Sequence, residues 1–346
     1  MQRIVLAYSG GLTSSIAIPW LADTYRAEVV AVTLDLGQGR ELEEVRDRAL
    51  ATGAVRAHVL DARELFARDY LLGALKADAV GEHGQPLAVA LAHPMIARKL
   101  IEIAGIEQGT AVAHACTGRA LTRLEASARA LKPGIRIVPV AREWAMTREQ
   151  QFEYARERNV QLPPGVDIDA PLLDDGNGQA RTPAECPDEP ADVELAFEQG
   201  APTAINGVTM PILDLLDSLG TIAAAHGIGR TKSRDLRDAP AAGPLHTAHR
   251  ELRAAVTAPP LDRLCADMSV EYIELIESGL WFTRAREAVD AFFASVNERV
   301  AGIIRLKLFK GDCRIVEKRS GLAEDANAAS AAPRRKLLKV AAVKGR

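Results

Sequence analysis

Long apolar runs are missing from this sequence of 346 residues: none approaches the roughly 18 uninterrupted apolar residues that a membrane helix needs. No secretory leader is recognisable either. Met1-Gln2-Arg3-Ile4-Val5-Leu6-Ala7-Tyr8 runs straight into a strand pattern, without an apolar core and a small-residue cleavage site. Cysteine is scarce, and Cys116, Cys186, Cys265 and Cys313 stand alone with no CxxC, a usage that fits free thiols in a reducing cytosol better than disulfides or a zinc site. A charge of one dominant sign is also lacking. Lys and Arg number 43 against 46 Asp and Glu, a net −3, which argues against a nucleic-acid surface covering the whole protein. Internal repeats are absent. What remains is 48% hydrophobic and 26% charged residues, the balance of a soluble globular protein with length for two domains. A cytoplasmic protein is expected, acting on small molecules, with no nucleic-acid or membrane partner.

The first part alternates between two periodicities. Ile4 to Tyr8 and Glu28 to Leu34 are short apolar runs rich in β-formers, and Val55 to Leu60, Ala111 to Ala113 and Ile135 to Val140 complete a series of five candidate strands. Helical patterns lie between them: Ser14 to Thr24, Glu41 to Thr52, Arg63 to Ala79, Pro94 to Glu107 and Leu121 to Leu131. Strands separated by helices pair in parallel through right-handed crossovers, so the expected fold class is α/β, a doubly wound, mainly parallel sheet. Thr147-Arg148-Glu149-Gln150 is a capping-box signature that opens one further helix. From Leu162 to Pro190 there are six prolines, three glycines and seven acidic residues without sustained periodicity, a connecting segment. Beyond it an α+β region is expected. Strands Val193 to Phe197 and Thr203 to Ile205 flank Gln199-Gly200, and Asn206-Gly207 is a hairpin turn. Helices follow over Pro211 to His226, Leu245 to Val256 and Leu261 to Ser278, and Thr283 caps another. Ile303 to Phe309 and Arg314 to Val316 form a hairpin across Lys310-Gly311-Asp312. This gives domains at 1–160 and 191–318, a connection at 161–190, and an alanine-rich basic tail at 319–346. From Arg334 onward the tail has six basic residues and no acidic ones, and it reads as solvated rather than as an anion-binding arm.

The chemistry concentrates at Ser9-Gly10-Gly11-Leu12-Thr13-Ser14-Ser15, between the first strand and the first helix. Gly10 and Gly11 let backbone amides approach phosphate oxygens, and Thr13, Ser14 and Ser15 add hydroxyls. The helix N-terminus adds partial positive charge. The loop lacks the Gly-Lys-Ser/Thr ending of a Walker sequence, and it is not GxGxxG. Its position at the carboxyl end of the first strand of a doubly wound sheet, where ligands dock, favours nucleotide binding over an ordinary turn.

Ala7-Tyr8-Ser9-Gly10-Gly11-Leu12 resembles the nucleotide loop of the argininosuccinate synthase family, of the ATP-pyrophosphatase group. The likeness continues in Asp35-Leu36-Gly37-Gln38-Gly39, Ala113-His114-Ala115-Cys116-Thr117-Gly118, Ala130-Leu131-Lys132-Pro133 and Arg142-Glu143-Trp144. It returns in His226-Gly227-Ile228-Gly229-Arg230, Lys232-Ser233-Arg234 and Arg305-Leu306-Lys307-Leu308-Phe309-Lys310-Gly311. The resemblance implies a HUP-type nucleotide domain followed by an α+β synthetase domain, a homo-oligomer (dimer or tetramer), and an ATP-dependent carbon–nitrogen ligase of arginine biosynthesis. In that family the ureido oxygen of citrulline attacks the α-phosphorus of ATP and expels pyrophosphate, with Mg²⁺ accompanying the ATP. The amino group of aspartate then displaces AMP. By position, Ala7, Tyr8, Ser9, Gly10, Gly11, Leu12, Thr13, Ser14, Ser15, Leu34 and Ala115 would line the ATP site. Thr117 matches an aspartate contact and Arg123 a citrulline contact.

Several positions differ from the family pattern. Thr13 replaces an aspartate, so no loop carboxylate is offered to Mg²⁺ and no metal ligand is expected from the protein. Arg119-Ala120-Leu121-Thr122 replaces a Gly-Asn-Asp-Gln stretch. Gln85 stands for a tyrosine, Ala90 for a serine, His93 for an arginine, Asp167 for a serine and Arg237 for a tyrosine. About ten family residues are missing between Arg230 and Lys232, and the carboxyl arm is short. Gln85, His93, Asp167 and Arg237 are therefore candidate substrate contacts beside Thr117 and Arg123. Two alternatives stay open: the same adenylation on another acceptor and amine, and a non-catalytic nucleotide- or partner-binding member. His114 and His226 fit capping or core roles as well as catalysis, and His246 and His249, three apart on a helix, lack a third metal ligand.

Overall fold

The computed structural model describes residues 2–37, 42–81, 86–162, 180–230 and 239–320. The five expected strands are all present: β1 (Gln2–Ala7), β2 (Ala27–Asp35), β3 (Arg56–Asp61), β4 (Ala111–His114) and β5 (Arg136–Pro139). They form one sheet in the order β3-β2-β1-β4-β5, and every pair is parallel. Alternate residues face opposite ways, as the pleat requires. Ile4, Leu6, Val29, Ala31, Ala111 and Ala113 pack under α1 (Leu12–Tyr25) and α2 (Leu42–Ala51). Val5, Val30, Val32 and Val112 pack on the opposite face. That face is covered by α3 (Arg63–Phe66), a π-helical turn (Ala67–Leu71), α4 (Leu72–Lys76), α5 (Ala88–Ile106) and α6 (Gly118–Leu131). The short α7 (Val140–Trp144) and then α8 (Arg148–Glu157) complete this part, α8 opening on the expected Thr147–Gln150 capping box.

Helix α5 starts six residues before Pro94, where the sequence pattern placed its beginning. Proline has no N–H for the carbonyl four residues back, which here belongs to Ala90. The neighbouring His93 fills that role, its Nδ1 lying 3.3 Å from the Ala90 carbonyl. With Ala90, Leu91, Met95 and Ala97 all buried on one side, packing carries the helix through the proline.

The second sheet is antiparallel. Its strands are β6 (Ala191–Glu198), β7 (Ala201–Ile205), β8 (Val208–Thr209), β9 (Gly302–Phe309) and β10 (Asp312–Ser320), in the order β10-β9-β6-β7-β8. Three two-residue turns join neighbours: Gln199-Gly200, Asn206-Gly207 and Lys310-Gly311, each with both φ angles positive. Helices α9 (Ile212–Ala225) and α10 (Ala242–Val256) cover one face over Val193, Leu195, Leu306 and Leu308. Helices α11 (Pro259–Glu277) and α12 (Arg284–Asn297), by contrast, return to the first sheet's core. There Tyr272, Ile276, Trp281 and Phe293 are buried, and Trp281 stacks on Tyr70 with centroids 5.1 Å apart.

The turn after α4 ties the two parts together. Asn297 donates to the Lys76 carbonyl at 3.1 Å, Ser269 to the Ala77 carbonyl at 2.6 Å, and Arg250 Nε to the Asp78 carboxylate at 2.7 Å. His246 pairs with the same Asp78 and His249 with Asn297, so the two histidines serve different partners. Among the described residues no helix is long and apolar enough to cross a membrane.

Candidate functional site

Strand order places the site. The chain runs from β1 outward to β2 and β3, then returns to the other side of β1 for β4. The loops leaving β1 and β4 therefore diverge and open a crevice at their carboxyl ends, the place where doubly wound sheets bind ligands. Leu6 pairs with Ala113, so Tyr8 to Gly11 and Ala115 to Gly118 emerge side by side.

The first loop is built to leave amides free. Gly11 is the N-cap of α1 with no side-chain cap, so the N–H groups of Leu12, Thr13 and Ser14 have no partner within the helix. Gly10 is left-handed (φ +77°) and lies on α2, where a Cβ would stand 3.2 Å from Val45 Cγ1. The hydroxyls, by contrast, hold the loop itself. Ser14 Oγ donates to the Gly11 carbonyl at 3.1 Å, Ser15 Oγ meets the Tyr8 hydroxyl at 3.1 Å, and Thr13 Oγ1 donates to Gln151 Oε1 at 3.0 Å. Ser9 is exposed and Gly11 and Thr13 are half-exposed, while Leu34 is buried beneath. Ala7 is half-buried, and Tyr8 and Leu12 are buried.

Arg48 on α2 was not anticipated from the sequence. Its guanidinium NH2 lies 3.7 Å from the Gly10 Cβ position, and its Nε is buried without a hydrogen-bond partner among the described residues. Burial raises the Tyr8 pKa, and Ser15 and Arg48 oppose that rise. The signal was helical spacing: Val45 and Ala49 mark the buried face of α2, and Arg48 flanks it.

The second loop rests on His114, which is fully buried. The Cys116 N–H donates to His114 Nδ1 at 3.2 Å, so Nε2 carries the proton and faces Glu125 Oε1 at 3.7 Å. Burial pushes the imidazole pKa down to about 4, against the pull of Glu125. Ala115 is half-buried and Thr117, the N-cap of α6, is exposed. One turn into α6, Arg123 is buried and forms an ion pair with Glu277 of α11. His93 stands close by, and burial followed by the Arg123 charge pushes its pKa down to about 4. It is neutral at pH 7 and cannot replace an arginine's charge. Arg123 and His93 are thus brought together near Glu277, with Thr117 at the start of the helix that carries Arg123, whereas Gln85, Asp167 and Arg237 lie outside the described residues. Among the described residues no group of three His, Cys, Asp or Glu could hold a metal ion.

Comparison with known families agrees with this geometry. Residues 3–161 match the arginosuccinate synthase N-terminal HUP domain, and residues 174–340 match the arginosuccinate synthase C-terminal domain. The chain belongs to the argininosuccinate synthase family. The argininosuccinate synthase of Brevibacillus brevis is 39% identical over 92% of this chain and 84% of its own length. That of Oceanobacillus iheyensis is 36% identical over the same shares. Among solved structures, NAD+ synthetase from Burkholderia pseudomallei aligns with a TM-score of 0.31 and 23% identity, over 49% of this chain and 71% of that one. So partial an overlap adds nothing to the family match. The parallel sheet with its HUP domain and the second, antiparallel sheet are the architecture that the family resemblance implied.

Proposed function

We propose that the chain is the ATP-dependent carbon–nitrogen ligase of its family, joining citrulline and aspartate with cleavage of ATP to AMP and pyrophosphate. The observation that carries this reading is the amino end of α1 at the switch point, where the amides of Leu12, Thr13 and Ser14 have no partner within the helix. ATP lies with its phosphates on those amides, over Ala7 to Ser15, with Leu34 and Ala115 at its sides. Citrulline and aspartate occupy the side formed by His93, Thr117 and Arg123. Gln85, Asp167 and Arg237 remain candidate substrate contacts by the family resemblance alone.

Catalysis here is positioning and charge neutralisation rather than proton transfer. A ureido carbon is deactivated by two nitrogens, and moving AMP onto its oxygen creates the leaving group that aspartate's amine displaces. Arg48 and the α1 N-terminus supply fixed positive charge beneath the pyrophosphate. Mg²⁺ would be held by the nucleotide's own phosphates, since Thr13 is a weak ligand for a hard cation and its hydroxyl is bonded to Gln151; bound there it would offset charge on the departing pyrophosphate. We place the enzyme in the cytoplasm as a homo-oligomer, a state that light scattering reads directly.

The reaction has an isotopic signature. Citrulline labelled with ¹⁸O at the ureido oxygen should yield AMP carrying that oxygen, because the bond to phosphorus forms there and the carbon–oxygen bond breaks later. Unlabelled AMP from labelled citrulline would contradict the adenylylated intermediate. Arg48→Ala should weaken ATP binding by about ten-fold, the size of one charge-assisted contact. Isothermal calorimetry reads this, and unchanged affinity would remove Arg48 from the site.

A further inference from the structure

Glu277 closes α11, so it comes from the second part of the chain, yet its carboxylate sits in the acceptor cluster. It pairs with Arg123, and Arg119 NH1 stands 3.5 Å from the same oxygen, Oε2. Arg119 and Arg123 are one turn apart on α6, so a single carboxylate spans both guanidinium groups. The Arg123 side chain is only 10% exposed, and its Nε is buried without a hydrogen-bond partner among the described residues. Glu277 itself keeps 23% exposure. Gly279 sets this approach. In the left-handed conformation (φ +72°) it turns the chain directly against α6, where a Cβ would stand 2.7 Å from the Arg123 Cα.

We propose that Glu277 is a specificity-determining residue for the acceptor, an internal carboxylate that occupies Arg123 until the acceptor's own carboxylate displaces it. The proposal rests on the reading that Arg123 belongs to the acceptor subsite. A guanidinium fork binds one carboxylate well, in two parallel hydrogen bonds. With Glu277 in place, an acceptor bearing a carboxylate must first break a charge-assisted pair and then sit beside a second negative charge. An acceptor bearing an amine at that end meets Glu277 as a partner instead. Neutral His93 leaves the balance to Arg119, Arg123 and Glu277.

The test compares two acceptors that share the ureido chain, citrulline and 4-ureidobutylamine, which lacks the carboxylate. Pyrophosphate release is followed with ATP and aspartate for the wild type and for Glu277→Gln, which keeps shape and loses charge. The KM for citrulline should fall about ten-fold, matching one lost competing pair, while the KM for 4-ureidobutylamine rises. Calorimetric ATP affinity and thermal unfolding verify that the variant is folded, and Glu277→Ala should move the preference the same way. Citrulline turnover with an unchanged ratio of KM values would overturn the proposal while leaving the ligase reading intact. No pyrophosphate with either acceptor, despite ATP binding, would overturn both.

Discussion

Gly11→Asp should cut ATP affinity about a thousand-fold while leaving the fold intact. A carboxylate brought to about 4 Å from a phosphate costs roughly 4 kcal/mol at an effective dielectric constant of about 20, and each 1.4 kcal/mol or so is a factor of ten. Stability should move the other way or not at all. Gly11 has φ −81° and ψ 173°, a conformation open to any residue. A Cβ there would meet only Ser9 Oγ, at 3.6 Å. Aspartate is also a favoured N-cap, and α1 has no side-chain cap to lose. Calorimetric titration with ATP, alongside a thermal melt of the free protein, separates the two effects. Retained nucleotide affinity in the folded variant would move the phosphates away from this loop.

Gly279→Ala should be among the most damaging single substitutions outside the first sheet. The left-handed backbone costs about 1–2 kcal/mol for any residue with a Cβ, and overpacking adds about 1–3 kcal/mol. The obstruction is main chain: Arg123 Cα at 2.7 Å and its carbonyl oxygen at 2.9 Å, with Ala126 Cβ at 3.0 Å. Neither α6 nor α11 can yield without disturbing the buried Tyr272, Ile276 and Leu124. Gly134 gives the control, since its φ is +84° but nothing lies within 4 Å of its Cβ position. Urea midpoints at constant m should show Gly279→Ala losing about 2–5 kcal/mol, and Gly134→Ala only the backbone share. Equal losses would mean that the close approach of α11 to α6 is wrong. Because that approach aims Glu277 at Arg123, the same variant should also lower the KM for citrulline, as Glu277→Gln does.

Local pattern carried most of the fold. The central strands β1, β2 and β4 are short apolar runs, legible because both faces of the sheet are covered, whereas the edge strand β3 (Arg56–Asp61) is half-exposed. The Asn206-Gly207 turn and the Thr147–Gln150 capping box are short-range devices, and they appear where the residues put them. The start of α5 was misplaced because a proline reads as a helix opening. Here the His93 ring occupies the Ala90 carbonyl that Pro94 leaves free, and the helix begins at Ala88. The return of α11 and α12 to the first core was not legible, because an amphipathic stripe does not say which partner it meets. Neither Arg48 nor Glu277 belongs to a local motif. Each reaches the site through packing between segments far apart in the chain, Glu277 meeting Arg123 across 154 positions. The hydroxyls of Thr13, Ser14 and Ser15 read as phosphate donors in the sequence, and the structure adds their bonds to Gln151, Gly11 and Tyr8, partners that no local pattern names.

Amide hydrogen exchange with and without ATP tests the phosphate site most directly. Saturating nucleotide should slow exchange at Gly11, Leu12, Thr13 and Ser14, with a smaller change on the loop from Ala115 to Gly118. ATP binding that left those four amides exchanging as in the free protein, and protected another surface, would contradict the account.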